Sequence, residues 1–279
     1  MSQEFSLYCH LKIFINLKIN KMKNLFFFIS LLIASVSQAQ VTQFSFFKIE
    51  DGDMWGQNFI NTQKKYYQKF AQEAKNQEKI SDWSVWRLRG PSYSDHDFVI
   101  ANSFKTIEQA TTSWNMDLGE ILGIEGSYLW DNDNWTWIEN QMCRSHTGVQ
   151  GDAKFVVITY INDKVWEHLN NAVDYNQPIL EYIISKEILP LKSYSVQTLI
   201  YPTKTKDNMK MFVARGYENY TEALSSLDYL MDFQNTKRFE AYQKASKKIH
   251  GDKKPEYDTG FGFGKDSYSV IYEKITGTD

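Results

Sequence analysis

The chain of 279 residues carries 31 basic and 34 acidic side chains, a formal net charge of −3, and 15% of its residues are aromatic. Because nucleic-acid affinity comes from many Lys and Arg contacts to phosphate, a mildly acidic chain gives no electrostatic basis for holding nucleic acid. The aromatic density excludes a disordered chain, since it supplies large apolar surfaces for packing.

The first 39 residues are typical of a targeting segment. Lys21 and Lys23 precede an apolar run over 25–36, and Ser37-Gln38-Ala39 supplies the small residues of a cleavage site. A run of about a dozen residues is too short to cross a bilayer core of roughly 30 Å as a helix, so anchoring is the weaker alternative. We expect an upstream extension and a signal peptide, and an exported protein, periplasmic or secreted, from a Gram-negative bacterium.

Cleavage after Ala39 changes the charge and the cysteine content. It removes four lysines and one glutamate, which leaves 27 basic and 33 acidic residues and a net charge of −6. Only Cys143 remains of the two cysteines, so no internal disulfide can form and the exported fold must depend on its core. Cys143 is either a buried apolar side chain or a free thiol.

An internal repeat organises the rest of the chain. When the first copy is aligned with the second at a shift of 111 residues, similar residues match in the same order. After a loop that is two residues longer in the second copy, the shift becomes 113. The matched pairs are Trp55 with Trp166, Pro91 with Pro202, Phe44 with Phe155, Val85 with Val196 and Ala101 with Ala214. Two copies of this length are duplicated domains rather than a solenoid. We therefore expect one domain over 40–150 and a second over 151–279.

Each copy predicts the same order of elements. β-Branched and aromatic runs indicate strands, and apolar residues at three-to-four spacing indicate amphipathic helices. In the first copy we predict strands over 43–49, 83–89, 98–104 and 141–149, and helices from Trp55 to Lys79 and from Thr106. In the second we predict strands over 154–161, 193–201, 209–217 and 267–275, and helices over 166–184 and from Asn219. Pro178 should kink or divide its helix near Asn176.

The order β-α-β-β-α-β is the ferredoxin-like motif, so the predicted class is α+β. Segments lie between the second helix and the fourth strand of each copy. The first, over 113–139, carries Trp114, Trp130, Trp135 and Trp137, and is either a lid over the sheet or a subunit contact. The second, over 228–257, is basic and polar and is typical of a solvated surface.

These features resemble the dimeric α/β-barrel superfamily. The resemblance depends on the helix from Trp55 to Lys79, the segment Asp82-Trp83-Ser84-Val85-Trp86 with Gly90-Pro91, the strand over 97–101 and Ile107-Glu108-Gln109-Ala110. NIPSNAP-type proteins and many exported bacterial proteins of unknown activity belong to this superfamily. The resemblance implies two tandem ferredoxin-like units whose antiparallel sheets pair into one barrel. The superfamily also includes haem-degrading and cofactor-free monooxygenases and chlorite dismutase-like haem proteins, so the fold does not select a function.

Motifs for metals, phosphates and nucleophilic catalysis fail on their spacing. Asp131-Asn132-Asp133-Asn134 begins like a calcium loop, but Trp135 and Thr136 occupy positions that such a loop gives to Asp, Asn or Gly. The glycine-rich run over 260–265 lacks the first glycine and the closing Ser or Thr of a phosphate loop. We predict no metal, no cofactor and no catalytic residue. A haem would need an axial His, for which His146 is the strand candidate, whereas His96 lies in a turn and should face solvent.

Several polar residues lie on predicted strands that face either a barrel interior or a partner. As a ligand-binding hypothesis we select Trp83, Arg87, Asn102, Arg144, His146 and Arg215. Arginines that point inward need acidic partners or an anionic ligand, because an unpaired charge is costly to bury. The alternative is that they pair with Asp or Glu or lie at the barrel rim. Alternation places Arg87 and Arg89 with Trp83 but does not tell which face that is.

Three functions remain open. The leading one is a module that binds a small, partly anionic molecule in an aromatic cavity, as a monomeric barrel or a homodimer. The first alternative is a monooxygenase, cofactor-free or haem-linked, with one polar group such as His146 or Asn102 at the centre of a closed pocket. The second is a structural or partner-binding envelope protein, whose tryptophan-rich segment would form an exposed apolar patch.

Overall fold

A computed structural model describes residues 40–50, 54–90, 95–112, 116–124, 135–202, 210–232, 237–257 and 267–278. Within these ranges the strands are β1 (Val41–Ile49), β2 (Asp82–Arg89), β3 (Phe98–Phe104), β4 (Trp135–Val149), β5 (Phe155–Ile161), β6 (Ser193–Tyr201), β7 (Met211–Tyr217) and β8 (Tyr268–Gly277). The helices are α1 (Gln57–Thr62), α2 (Gln68–Asn76), α3 (Ile107–Thr112), α4 (Leu118–Leu122), α5 (Val165–Asn170), α6 (Gln177–Ser185), α7 (Tyr220–Asp232) and α8 (Lys237–His250). Two π-helical turns, π1 (Gln63–Tyr67) and π2 (Asn171–Asn176), join α1 to α2 and α5 to α6.

The strands close into one antiparallel barrel in the order β1-β3-β2-β8-β5-β7-β6-β4. The first four strands of the chain are adjacent in the order β4-β1-β3-β2, and the last four in the order β8-β5-β7-β6. The two sets meet where β2 pairs with β8 and where β4 pairs with β6. We call the end where β1 and β5 finish and β4 and β8 begin the upper end.

Alternating side chains divide each strand between an outer and an inner face. On the outer face Val85, Phe98 and Phe104 pack with the helix residues Phe59 and Ala71. On the inner face other buried residues cluster with strand residues alone: Phe46, Val99 and Tyr272 in one group, and Cys143, Tyr160 and Phe212 in another. The helices therefore cover the outside of the barrel, and the inner face surrounds a separate space.

The two junctions between the strand sets repeat each other pair by pair. Ser84 pairs with Gly277 at one junction, and Ser195 pairs with Gly148 at the other. At both junctions a bulge follows, with Ile275 as the extra residue of β8 and His146 as the extra residue of β4, and the β4–β6 junction has a second register shift between Met142 and Cys143. Beyond the bulges Arg87 pairs with Glu273, and Thr198 pairs with Arg144.

Most predicted elements are confirmed, with two corrections in the strands. β3 and β6 have the predicted ends, whereas β4 begins at Trp135, six residues before the predicted 141, so Trp135 and Trp137 belong to a strand. Register corrects one repeat pair: Phe44 pairs with Ala101, and the β5 residue paired with Ala214 is Ile158, not Phe155.

At Pro178 the predicted kink or division is a change of helix type. The helix continues from π2 into α6 without a break, and Pro178 lies in the first turn of α6. Trp114, Trp130, the calcium-like segment over 131–134, the glycine-rich run over 260–265 and the targeting segment lie outside the described residues.

Candidate functional site: the barrel interior

The space inside the barrel is called the lumen here. Some side chains that face it remain partly accessible even in the middle of their strands. Ile158 faces the lumen and is half-buried, although its outward-facing neighbours Val157 and Thr159 are 0% and 1% exposed. Ala214, which pairs with Ile158, is also half-buried between two buried neighbours. Half-buried inward residues surround the lumen: Phe44, Trp86, Leu88, Ile158, Leu199, Ala214 and Val270. An eight-stranded barrel is just wide enough to be filled by side chains or to hold one small ligand, and here the side chains of the described strands do not fill it completely.

One wall of the lumen is aromatic. β8 contributes Tyr268, Val270 and Tyr272 at alternate positions. Tyr160 on the adjacent β5 lies with its ring centroid 4.7 Å from that of Tyr268 and its hydroxyl oxygen 3.5 Å from that of Tyr272. Burial raises the pKa of the Tyr272 phenol, so this group is a neutral hydrogen-bonding group at physiological pH.

The opposite wall is polar. β4 lies four strands from β8 in either direction around the ring, and it directs Glu139, Gln141, Cys143 and Ser145 inward. The Gln141 side-chain amide donates to Glu139 Oε1 at 2.7 Å. Gln197 on β6 pairs with Ser145, and its Oε1 is buried without a hydrogen-bond partner among the described residues. The polar wall therefore carries carboxylate and amide groups on the inner face, and the unpaired Gln197 oxygen is itself buried.

Cys143 lies on this polar wall and is fully buried. Burial raises the pKa of its thiol to about 12, so the thiolate that would react with an electrophile or bind a metal is not formed at neutral pH. Of the two alternatives left open by the sequence, the structure shows the buried side chain.

His96 lies at the upper end of the lumen, not in solvent as its turn sequence predicts. Its Nε2 is 2.9 Å from the Tyr272 hydroxyl oxygen, and its ring lies edge-on to Phe46 with centroids 4.7 Å apart. The following residue holds the segment in place, because the Asp97 carboxylate accepts from the Ile49 amide at 2.9 Å. Burial lowers the pKa of the His96 imidazole to about 4, against the opposing effect of Asp97. At neutral pH His96 is therefore an uncharged donor and acceptor facing the lumen.

Four of the residues selected from the sequence lie on the outer face. Trp83 is buried among helix residues, and Arg87, four positions further along β2, shares its face. Arg87 Nη2 contacts Glu273 Oε2 at 2.6 Å. Asn102 pairs with Trp83, so it also points outward, and its Oδ1 is buried without a hydrogen-bond partner in the described structure. Arg215 is buried and donates to Thr159 Oγ1 at 2.9 Å. As ligand contacts these residues stay a prediction.

The other two selected residues also point away from the lumen. Arg144 is exposed, and it pairs with Thr198 on the outer face of β6. His146, the bulge residue, is half-buried with its Nε2 2.7 Å from Thr198 Oγ1. Desolvation, and then the charge of Arg144, lower the pKa of the His146 imidazole. The structure therefore brings Arg144 and His146 together but separates them from the aromatic wall.

These positions do not fit a haem in the lumen. His146 is on the outer face, and the nitrogen of His96 that faces the lumen is engaged by Tyr272. No group of three or more His, Cys, Asp or Glu side chains in the described ranges is arranged to hold a metal ion.

The tryptophans of the predicted lid or contact segment have different environments. Trp135 packs edge-on against Phe59 with ring centroids 5.3 Å apart, so it belongs to the outer core. Trp137 is 55% exposed near the upper end of the barrel. In the part of the chain that the structure describes, no helix is both long and apolar enough to span a membrane.

The fold is an α+β architecture built on a closed antiparallel barrel of eight described strands. No protein-family model matches the sequence, and no curated protein matches it. Among solved structures, a proposed monooxygenase from Lactobacillus acidophilus resembles the chain with a TM-score of 0.49 at 10% identity, covering 86% of this chain and 96% of its own. An anthrone oxidase-like protein resembles the chain with a TM-score of 0.45 at 9% identity, covering 87% of this chain and 94% of its own. A chlorite dismutase variant from Candidatus Nitrospira defluvii has a TM-score of 0.42 at 13% identity, covering 85% of this chain and 92% of its own. At these identities the resemblance assigns no activity to this chain.

Proposed function

We propose that this protein binds one small, uncharged, largely aromatic molecule in the lumen. The observation that carries the proposal is the accessible surface of Ile158 and Ala214 at the centre of the barrel, between outward neighbours that are buried. A few well-placed polar groups in an otherwise apolar cavity are typical of a small-molecule site.

The two walls define the chemistry of the ligand. A flat ring would lie against the tyrosines of β8, and a hydroxyl or amine at its edge would donate to Gln197 Oε1 on the opposite side once that buried side chain turns toward the lumen. The arginines on which an anionic ligand was predicted lie on the outer face, and Glu139 is the acidic group on the polar wall. A carboxylate would lose its hydration without gaining a cation, so we now propose an uncharged ligand in place of a partly anionic one.

Calorimetric titration with three probes of one ring size tests the proposal. We expect 2-naphthol to bind with a negative heat-capacity change, because burying apolar surface has that signature. Ala214→Phe should abolish binding by filling the lumen, while Gln243→Phe, on the exposed face of α8, should bind as the wild type does. The naphthol should bind about tenfold more tightly than 2-naphthoate, a difference of roughly 1.4 kcal/mol, and 2-methoxynaphthalene should lie between them. Binding that survives Ala214→Phe would exclude the lumen as the site.

An O2-dependent enzyme is the second candidate, and the neutral imidazole of His96 favours it. A base with a pKa of about 4 is unprotonated at pH 7, and His96 can accept a proton from a bound molecule through the Tyr272 hydroxyl that its Nε2 contacts. The test is O2 uptake with an added hydroquinone, which would be oxidised to the quinone as O2 is reduced to hydrogen peroxide. His96→Gln should slow the uptake about 100-fold. Equal rates in both proteins would reject this role for His96.

We also propose that the chain is a tandem duplication of a ferredoxin-like unit, and that residues 1–39 are removed on export. The equal strand order in the two strand sets and the paired bulges at the two junctions support the duplication. N-terminal sequencing of protein recovered from an exporting host tests the second proposal. We expect Gln40 as the first residue, and a chain that keeps any of residues 1–39 would contradict it.

A further inference from the structure

The hydroxyl of Tyr272 is placed between a nitrogen base and a second phenol. Its oxygen lies 2.9 Å from His96 Nε2 and 3.5 Å from the Tyr160 oxygen. The shorter distance is within the range for direct proton transfer between positioned groups. Tyr272 is 3% exposed, so bulk water does not compete for its proton.

His96 is available as a proton acceptor at neutral pH in the tautomer that carries its proton on Nδ1, which leaves Nε2 free to accept from the Tyr272 hydroxyl. Its ring is stacked parallel to that of Tyr272 with centroids 6.0 Å apart and lies edge-on to Phe46, so the imidazole has a fixed orientation. Its low pKa keeps it unprotonated above about pH 4. An oxidised phenol is a far stronger acid than a resting one, so even this weak base takes the proton.

Tyr242, a half-buried tyrosine, provides an internal comparison. The Tyr242 hydroxyl donates to Asn176 Oδ1 at 2.6 Å. An amide oxygen accepts a hydrogen bond but does not take up the proton. Tyr272 and Tyr242 therefore differ in having or lacking a basic partner.

From this geometry we propose that Tyr272 is a redox-active tyrosine whose one-electron oxidation is coupled to transfer of its phenolic proton to His96. An outer-sphere one-electron oxidant takes the electron and is itself reduced. The O–H bond of Tyr272 breaks and an N–H bond forms on Nε2, which leaves a neutral tyrosyl radical beside an imidazolium. Tyr160 and Tyr268, whose rings are 4.7 Å apart, extend the aromatic path toward the upper end, where an electron can leave without the oxidant entering the lumen.

The proposal is tested by oxidising the full-length protein with a photogenerated ruthenium(III) polypyridyl complex and trapping the product for electron paramagnetic resonance. We expect a neutral tyrosyl signal that is lost in Tyr272→Phe and kept in Tyr242→Phe. His96→Asn keeps the phenol but replaces the base with an amide, and it should slow radical formation about 100-fold. Because this variant leaves Tyr272 in place, it provides the test even if Tyr272→Phe fails to fold.

Two outcomes would overturn the proposal. One is a tyrosyl signal of unchanged intensity in Tyr272→Phe, which would place the radical on another tyrosine. The other is a wild-type rate of radical formation in His96→Asn, which would show that the proton does not go to the imidazole. Neither outcome bears on ligand binding in the lumen, since no ligand is present in the experiment.

Discussion

Gln68 and Gln177 make the same contact on opposite sides of the barrel. Each is the first residue after a π-helical turn, and each donates its side-chain amide to the carbonyl of a junction glycine. Gln68 Nε2 lies 2.9 Å from the Gly277 carbonyl oxygen, and Gln177 Nε2 lies 3.0 Å from the Gly148 carbonyl oxygen. In both cases a helix of one strand set holds the last strand of the other set, so the two contacts tie the sets together.

Gln68 makes two hydrogen bonds to neighbouring residues of β8. Gln68→Leu removes the donor to Gly277 and the acceptor of the Thr276 hydroxyl, whose oxygen lies 2.6 Å from Gln68 Oε1. Leaving these partly buried groups unpaired should lower the free energy of unfolding by about 2 kcal/mol. Urea denaturation measures the change, and Gln57→Leu on the exposed surface of α1 is the control. Equal stability in the two variants would show that the contact does not tie the strand sets.

The junction glycines differ in how closely the neighbouring strand approaches. A Cβ at position 148 would lie 2.7 Å from the Tyr194 carbonyl oxygen, whereas one at position 277 would lie 3.1 Å from that of Trp83. Gly148→Ala should therefore lower the free energy of unfolding by about 3 kcal/mol, and Gly277→Ala should lower it by about 1 kcal/mol. Thermal unfolding ranks the two variants, and the reverse order would be inconsistent with this strand spacing.

Stability should depend on pH through His96. Its folded pKa is about 4 and its unfolded value is 6.5, so between these values the unfolded chain binds more protons. The free energy of unfolding should therefore fall as pH falls through this window, by about 2–3 kcal/mol from pH 7 to pH 4. His96→Gln removes the titrating group, and its stability curve should be flatter by that amount. Parallel curves for the two proteins would mean that His96 is not buried.

The ion pair between Arg87 and Glu273 should be stronger than surface pairs. Their side chains are 24% and 26% exposed, compared with 62% and 78% for Lys105 and Glu78. A double-mutant cycle with Arg87→Met and Glu273→Gln should give a coupling energy of about 1–2 kcal/mol. The same cycle on Lys105 and Glu78 should give less than about 0.5 kcal/mol, because exposed pairs are screened by water and salt. Similar coupling in both cycles would contradict the burial difference.

The sequence predicted most strands because their alternation and turn residues are local signals. It could not predict which face of a strand is inside. Arg87 and Trp83 do share a face, but only the position of the helices shows that this face is outer. Matching identical residues aligned Phe44 with Phe155, whereas strand pairing places Phe44 opposite Ala101 and Ile158 opposite Ala214.

The candidate site was missed for a related reason. β4 carries polar residues at 139, 141 and 145, and β8 carries aromatic or apolar residues at 268, 270 and 272, in each case at alternate positions. This period-two signal is present in the sequence, but only the closed ring of strands shows that the two stripes face each other. His96 was assigned to solvent because its neighbours favour a turn, and its burial depends on Phe46 and Tyr272, which are distant in the chain.

The central claim is that the lumen holds an uncharged aromatic molecule, and a crystal structure of the protein with 2-naphthol tests it most directly. We expect density for the ring inside the barrel, in contact with Ile158 and Ala214, and with its hydroxyl directed toward the Gln197 side chain. Density on the outer face beside Arg87 or Arg144, or an empty lumen at saturating probe, would contradict the account.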